Sequence, residues 1–104
     1  MALTDPDQYR PFQYKITGVA SGRVMDVSGG STANGANIQL WDWLNANNQN
    51  WTVTPISDGY FRITAVHSGK VADVAGPSTA DGAVVHQWDN VDVLNQYWQL
   101  SFAP

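Results

Sequence analysis

A chain of 104 residues, 43% of them hydrophobic, has room for one domain with a modest core and is unlike a disordered sequence. Its nine acidic residues, all Asp, outnumber five Lys and Arg and leave a net charge of −4, so the basic patch that nucleic acids or anionic membranes require is missing. The absence of cysteine excludes disulfides, thiolate metal sites and cysteine nucleophiles together. No apolar run has the length of a membrane span, and the first residues do not read as a signal peptide. The expectation is a soluble protein that folds without oxidation, makes no membrane insertion and needs no cofactor, its compartment left open.

In chain order, residues 1–13 form an N-terminal extension. Strands are expected near 14–19, 24–27, 37–41 and 51–55, and again near 61–66, 71–74, 84–88 and 98–102, because short apolar segments alternate with turn formers and none has helical period. Ser21-Gly22, Asn34-Gly35, Ser68-Gly69 and Asp81-Gly82 punctuate them, and Asn-Gly and Asp-Gly favour the positive φ of tight turns. The second half repeats the first. Ile16-Thr17 returns as Ile63-Thr64, Asp26-Val27 as Asp73-Val74, Ser31-Thr32-Ala33 as Ser78-Thr79-Ala80, Trp41-Asp42 as Trp88-Asp89, Asn48-Gln49 as Asn95-Gln96 and Trp51 as Trp98, always 47 residues on. A constant offset without insertion makes two copies of one unit, 14–59 and 60–104, within a single all-β domain of barrel type.

Gln49-Asn50-Trp51 and Gln96-Tyr97-Trp98 resemble the Gln-x-Trp motif of ricin B-chain type lectins and related carbohydrate-binding modules. The preceding Val24-Met25-Asp26-Val27 and Asn34-Gly35-Ala36-Asn37-Ile38-Gln39-Leu40-Trp41 strengthen the resemblance, which extends from about Tyr14 to Phe102. It implies a β-trefoil, in which three such repeats surround a pseudo-threefold axis, and a sugar pocket on each repeat, commonly for galactose or N-acetylgalactosamine. This sequence carries two repeats. An isolated two-thirds trefoil leaves strand edges unpaired, so completion by homo-oligomerisation is expected. Three chains hold six repeats, enough for two trefoils, and a dimer is the alternative.

A sugar offers hydroxyls on its rim and a C–H face, so its site needs carboxylate or amide groups on one side and a flat aromatic on the other. Strand alternation puts Ile38 and Leu40 on one face of the third strand, suited to the core, and Gln39 and Trp41 on the opposite face. The resemblance then implies that Asp26 accepts bonds from two adjacent hydroxyls, Trp41 stacks on the sugar, Asn48 bonds a further hydroxyl and Gln39 lies at the rim. Gln49 orients Asp26, and Trp51 belongs to the core. The second copy offers Asp73, Trp88 and Asn95, with His86 in place of Gln39, Gln96 as support and Trp98 in the core. Taken singly, such an Asp can be a turn cap and such a Trp a core residue; their duplication at one spacing favours a site. The function expected is a non-catalytic lectin for galactose-type glycans, multivalent through oligomerisation. The alternatives are a structural or protein-binding trefoil, or a designed or truncated fragment of a larger lectin. No Ser-His-Asp set is legible, and two His without Cys make a poor metal cluster.

Overall fold

A computed structural model describes residues 12–100. Eight strands lie within them: β1 (Gln13–Tyr14), β2 (Val24–Val27), β3 (Ile38–Trp41), β4 (Trp51–Pro55), β5 (Tyr60–Ala65), β6 (Val71–Val74), β7 (Val85–Trp88) and β8 (Trp98–Gln99). Single 3-10 turns at Asn47–Gln49 and Leu94–Gln96 precede β4 and β8. Among the described residues there is no α-helix, and no helix is long and apolar enough to cross a membrane. The expected strand at 98–102 runs past residue 100, and its end lies outside the described residues.

All pairing is antiparallel. One sheet runs β1-β4-β5-β6-β7, with β8 also against β5, while β2 and β3 form a separate two-stranded ribbon. The two copies share their register: Val24 faces Trp41 and Asp26 faces Gln39 in the first, as Val71 faces Trp88 and Asp73 faces His86 in the second. The β1–β4 pair, Gln13 opposite Thr52, is likewise matched by β5–β8, Tyr60 opposite Gln99.

The first strand is shorter than expected. Residues 14–19 were expected to form it, but regular pairing ends at Tyr14 and resumes only as a bridge from Thr17 to Val24. The reason is its neighbourhood. β5, the equivalent strand, reaches six residues because β4 lies along it from Phe61 to Ala65, whereas β1 has no strand in that place among the described residues.

The core gathers Val27, Trp51, Ile63, Ala65 and Ala72, with Ile16, Met25, Ile38, Val53, Val85 and Trp98 packed against it. β-branched and aromatic side chains on alternate strand positions supply most of it, as the pleat dictates. Two expectations need correction. Leu40, assigned to the core by alternation, is 50% exposed, because no strand packs over that end of its ribbon among the described residues. Trp98 is only partly buried although its counterpart Trp51 is wholly buried, because the second repeat covers Trp51 and no repeat follows Trp98 among the described residues.

The repeats join through the loop between β2 and β3. The Gly35 amide donates to the Gln87 carbonyl and the Gln87 amide to the Ala36 carbonyl, 2.8 and 3.0 Å. Gly35 adopts φ +89°, a left-handed backbone that suits glycine. Asn34-Gly35 thus shapes an inter-repeat joint rather than closing a two-residue hairpin.

Candidate functional site

The sugar-site residues predicted for the first repeat converge. Asp26 sits on β2 directly across from Gln39 on β3, and the turn Asn47–Gln49 brings two further amides to the same carboxylate. Gln39 Nε2 donates to Asp26 Oδ1 at 3.2 Å, while Oδ2 accepts from Gln49 Nε2 at 2.9 Å and from Asn48 Nδ2 at 3.4 Å. Asn48 Nδ2 is anchored more tightly on the Val27 carbonyl, at 3.0 Å. The carboxylate is nearly buried, and an ionised group at that depth is tolerated only because these donors replace water.

Gln49, wholly buried, ties the site to its own loop. Its Nε2 also reaches the Asp42 carbonyl at 2.7 Å, and its Oε1 accepts from the Leu44 amide at 2.8 Å. One side chain therefore fixes both Asp26 and the loop that follows Trp41. Trp51, two residues on, donates from Nε1 to the Met25 carbonyl at 3.0 Å beneath the same strand. The spacing of Gln and Trp has a mechanical sense: one locks the carboxylate from the side while the other supports its strand from the core.

Around this network lies an open groove of about 390 Å³ lined by Asp26, Gln39, Trp41 and Asn48, and by Ser28, Gly29, Gly30 and Leu44. The last four escaped sequence reasoning. The signal for the first three was the Gly29-Gly30 pair just after the Asp strand, where both glycines take positive φ. Trp41 is half exposed, with indole surface free to meet a ligand.

The second copy rebuilds the network around Asp73. Gln96 Nε2 lies 2.9 Å and Asn95 Nδ2 3.2 Å from Oδ2, Asn95 Nδ2 is also bound to the Val74 carbonyl at 3.1 Å, and Gln96 spans to the Asp89 carbonyl and the Val91 amide. His86 takes the place of Gln39, with Nε2 2.8 Å from Asp73 Oδ1. Its ring stacks on Trp88, centroids 5.4 Å apart and planes at 23°. Imidazole thus covers part of the second indole, whereas the first has no ring stacked on it among the described residues. Ser28-Gly29-Gly30 is replaced by Ala75-Gly76-Pro77, which removes a hydroxyl and a glycine from the lip.

The family model for ricin-type beta-trefoil lectin domain-like proteins matches residues 6–88. The chain belongs to this family. Among solved structures, the ricin-type trefoil described here is similar to a designed three-fold symmetric protein, ThreeFoil, with TM-score 0.83 and 39% identity over 84% of this chain and 62% of that one. It is similar to an exo-β-1,3-galactanase from Clostridium thermocellum, with TM-score 0.83 and 38% identity over 86% of this chain and 19% of the enzyme. A lectin of Polyporus squamosus, bound to an epitope containing a sialylated galactose, shares the fold with TM-score 0.74 and 22% identity, over 84% of this trefoil and 30% of that lectin. The chain therefore spans less than two thirds of each of these structures. Family and fold together mark it as a partial β-trefoil of a lectin class, and carbohydrate binding in general follows from that membership.

Proposed function

We propose that the chain binds galactose-type glycans, galactose or N-acetylgalactosamine at a chain end, through the Asp26 groove of the first repeat and the equivalent Asp73 network of the second, and without catalysis. The observation that carries this reading is the duplicated network itself: a nearly buried carboxylate held by amides beside an exposed indole, built twice at one spacing. A carboxylate has about four lone-pair positions, and in the first repeat three meet amides. The fourth position is open to one sugar hydroxyl, and the long Asn48 contact is the one a second hydroxyl can replace at little cost. Adjacent hydroxyls on Asp26, with the apolar sugar face on Trp41, satisfy both halves of the ligand. A galactanase at 38% identity is consistent with a galactose-type ligand.

The groove of the first repeat is lined by a single carboxylate, Asp26, held as an acceptor, whereas glycoside hydrolysis needs two carboxyl groups about 5–10 Å apart. The nearest candidate in sequence, Asp42, turns its carboxylate to Arg23 at 3.3 Å in solvent. Sites at both networks would make even a single chain bivalent, and joining further repeats would raise avidity without new contacts.

Titration calorimetry with galactose, lactose and N-acetylgalactosamine, alongside mannose and glucose as controls, tests the reading. The expected result is weak binding of the galactose series, about millimolar per site, abolished in Asp26→Ala/Asp73→Ala. Binding confined to mannose or glucose would exclude the galactose assignment, and no binding on a broad glycan array would exclude the lectin reading for this chain.

A further inference from the structure

Beyond the Asp26 network, the first repeat carries a cation that the second repeat neutralises. Among the described residues, Arg23 pairs with Asp42 at 3.3 Å, Lys70 with Asp89 at 3.4 Å and Arg62 with Asp92, whereas Lys15 has no carboxylate partner. Lys15 and Arg62 hold the same position of the 47-residue repeat. The difference lies opposite them. Asp92, which takes the Arg62 charge, is matched by Asn45 in the first repeat. Asn45 and Asp92 share a left-handed backbone, φ +55° and +53°, so the turn is kept while its carboxylate is gone.

In place of a carboxylate, Lys15 has an aromatic ring. Its Nζ stands 5.0 Å from the centre of the Trp43 indole, inside the range of about 6 Å for a cation–π contact. The second repeat has Asn90 at that position. Unlike an ion pair, the contact steadies the ammonium without cancelling its charge. Trp43 in turn is tied to the groove. Gln49 grips the residue on each side of it, the Asp42 carbonyl at 2.7 Å and the Leu44 amide at 2.8 Å, and Leu44 lines the groove. The side chain that orients Asp26 therefore also fixes the backbone that carries the ring under Lys15. Trp43 is 37% exposed and Lys15 is exposed, so a ligand in the groove meets them from solvent.

We propose that Lys15, held on Trp43, is a subsite for an acidic group, a sulfate ester or a sugar carboxylate, on or next to the galactose bound at Asp26. It rests on the galactose reading of that groove and gives the first repeat a preference that the second lacks. In a chain of net charge −4, an anionic ligand is repelled except where a cation is left unbalanced. Asp26 does not cancel Lys15, because that carboxylate is nearly buried and already accepts from three amides. An ammonium is a point charge with three donors and suits either acid. Its exposure keeps the gain small, about two- to fivefold in affinity at low salt.

Titration calorimetry on the full chain in an Asp73→Ala background reads the first site by itself. Two affinity ratios are measured: galactose sulfated on its primary hydroxyl over galactose, and galactose linked to glucuronic acid over lactose, its neutral counterpart. At least one ratio should be about two to five at low salt and fall toward one at about 1 M salt. Which of them rises tells whether the subsite takes sulfate, carboxylate or both. Lys15→Gln removes the charge, and Asn45→Asp installs the carboxylate that the second repeat uses; each should bring the ratio to one or below. In Asp26→Ala, which leaves the Asp73 network, neither ratio should exceed one. Equal affinity for neutral and acidic ligands at the first site, a preference that survives either variant, or the same preference in Asp26→Ala overturns the subsite and leaves the galactose reading standing. No binding of galactose, lactose or either acidic ligand overturns both.

Discussion

Two residues in each site, a buried Gln and an exposed Trp, differ in burial, and their exposures separate the consequences of removing them. Gln49 is wholly buried and satisfies Asp26, the Asp42 carbonyl and the Leu44 amide. Gln49→Leu keeps the volume but strands all three partners, so urea denaturation should show a loss of about 2–4 kcal/mol. Trp41 is half exposed and bridges no structural gap. Trp41→Ala should therefore leave the urea midpoint nearly unmoved while weakening galactose binding at the first site by about tenfold or more, as expected for loss of a stacking surface. Calorimetry in an Asp73→Ala background isolates that site; an unchanged affinity would remove Trp41 from the ligand contact. The burial of Gln49 and the exposure of Trp41 were legible because the repeat fixes both residue types at one spacing and strand alternation turns Trp41 away from Ile38. The sequence did not disclose Ser28, Gly29 and Gly30, whose part is to shape the groove by backbone direction rather than by side chain.

At the scale of elements, the joint between the β2–β3 loop and β7 has an acid-sensitive member. The bond from Asn34, and then the bond and charge of Lys70, hold the Asp89 carboxyl below the usual carboxylate range. A carboxyl depressed in the folded state stabilises it above the unfolded pKa, and that contribution is lost as pH falls through the folded one. The stability difference between the parent and Asn34→Ala should thus be largest at neutral pH and shrink below about pH 4. Urea midpoints measured between about pH 7 and pH 2 check this; a constant difference would detach Asp89 from the joint. Strand positions were legible to within a residue or two for β2, β4, β6 and β7, since apolar alternation and flanking turn residues agree there. The joint was not. A trace of it in sequence is the break in repetition that puts His67 and Gln87, whose side chains reach the Ser31 carbonyl, where Ala20 and Leu40 stood, and a pattern argument assigned Leu40 to the core for want of knowing what covers that face.

For the molecule as a whole, identical motifs acquire different weight from their order in the chain. Trp51 and Trp98 occupy the same place in the repeat and donate the same bond, Nε1 to the Met25 and Ala72 carbonyls at 3.0 and 3.2 Å. Trp51 is nonetheless wholly buried and Trp98 only partly, because β5 and β6 lie over the first and nothing equivalent follows the second among the described residues. The repeat alone predicts equal roles; coverage breaks the equality. Trp51→Ala should cost about 3–5 kcal/mol, the range for a fully packed aromatic, with the cavity contributing much of it. Trp98→Ala should cost about half as much, since solvent already reaches one side and the vacated space can fill with water. Chemical denaturation of the two variants measures the gap directly. Equal costs in the chain by itself would mean that Trp98 is already sealed, and that the second repeat needs nothing beyond it to complete its core.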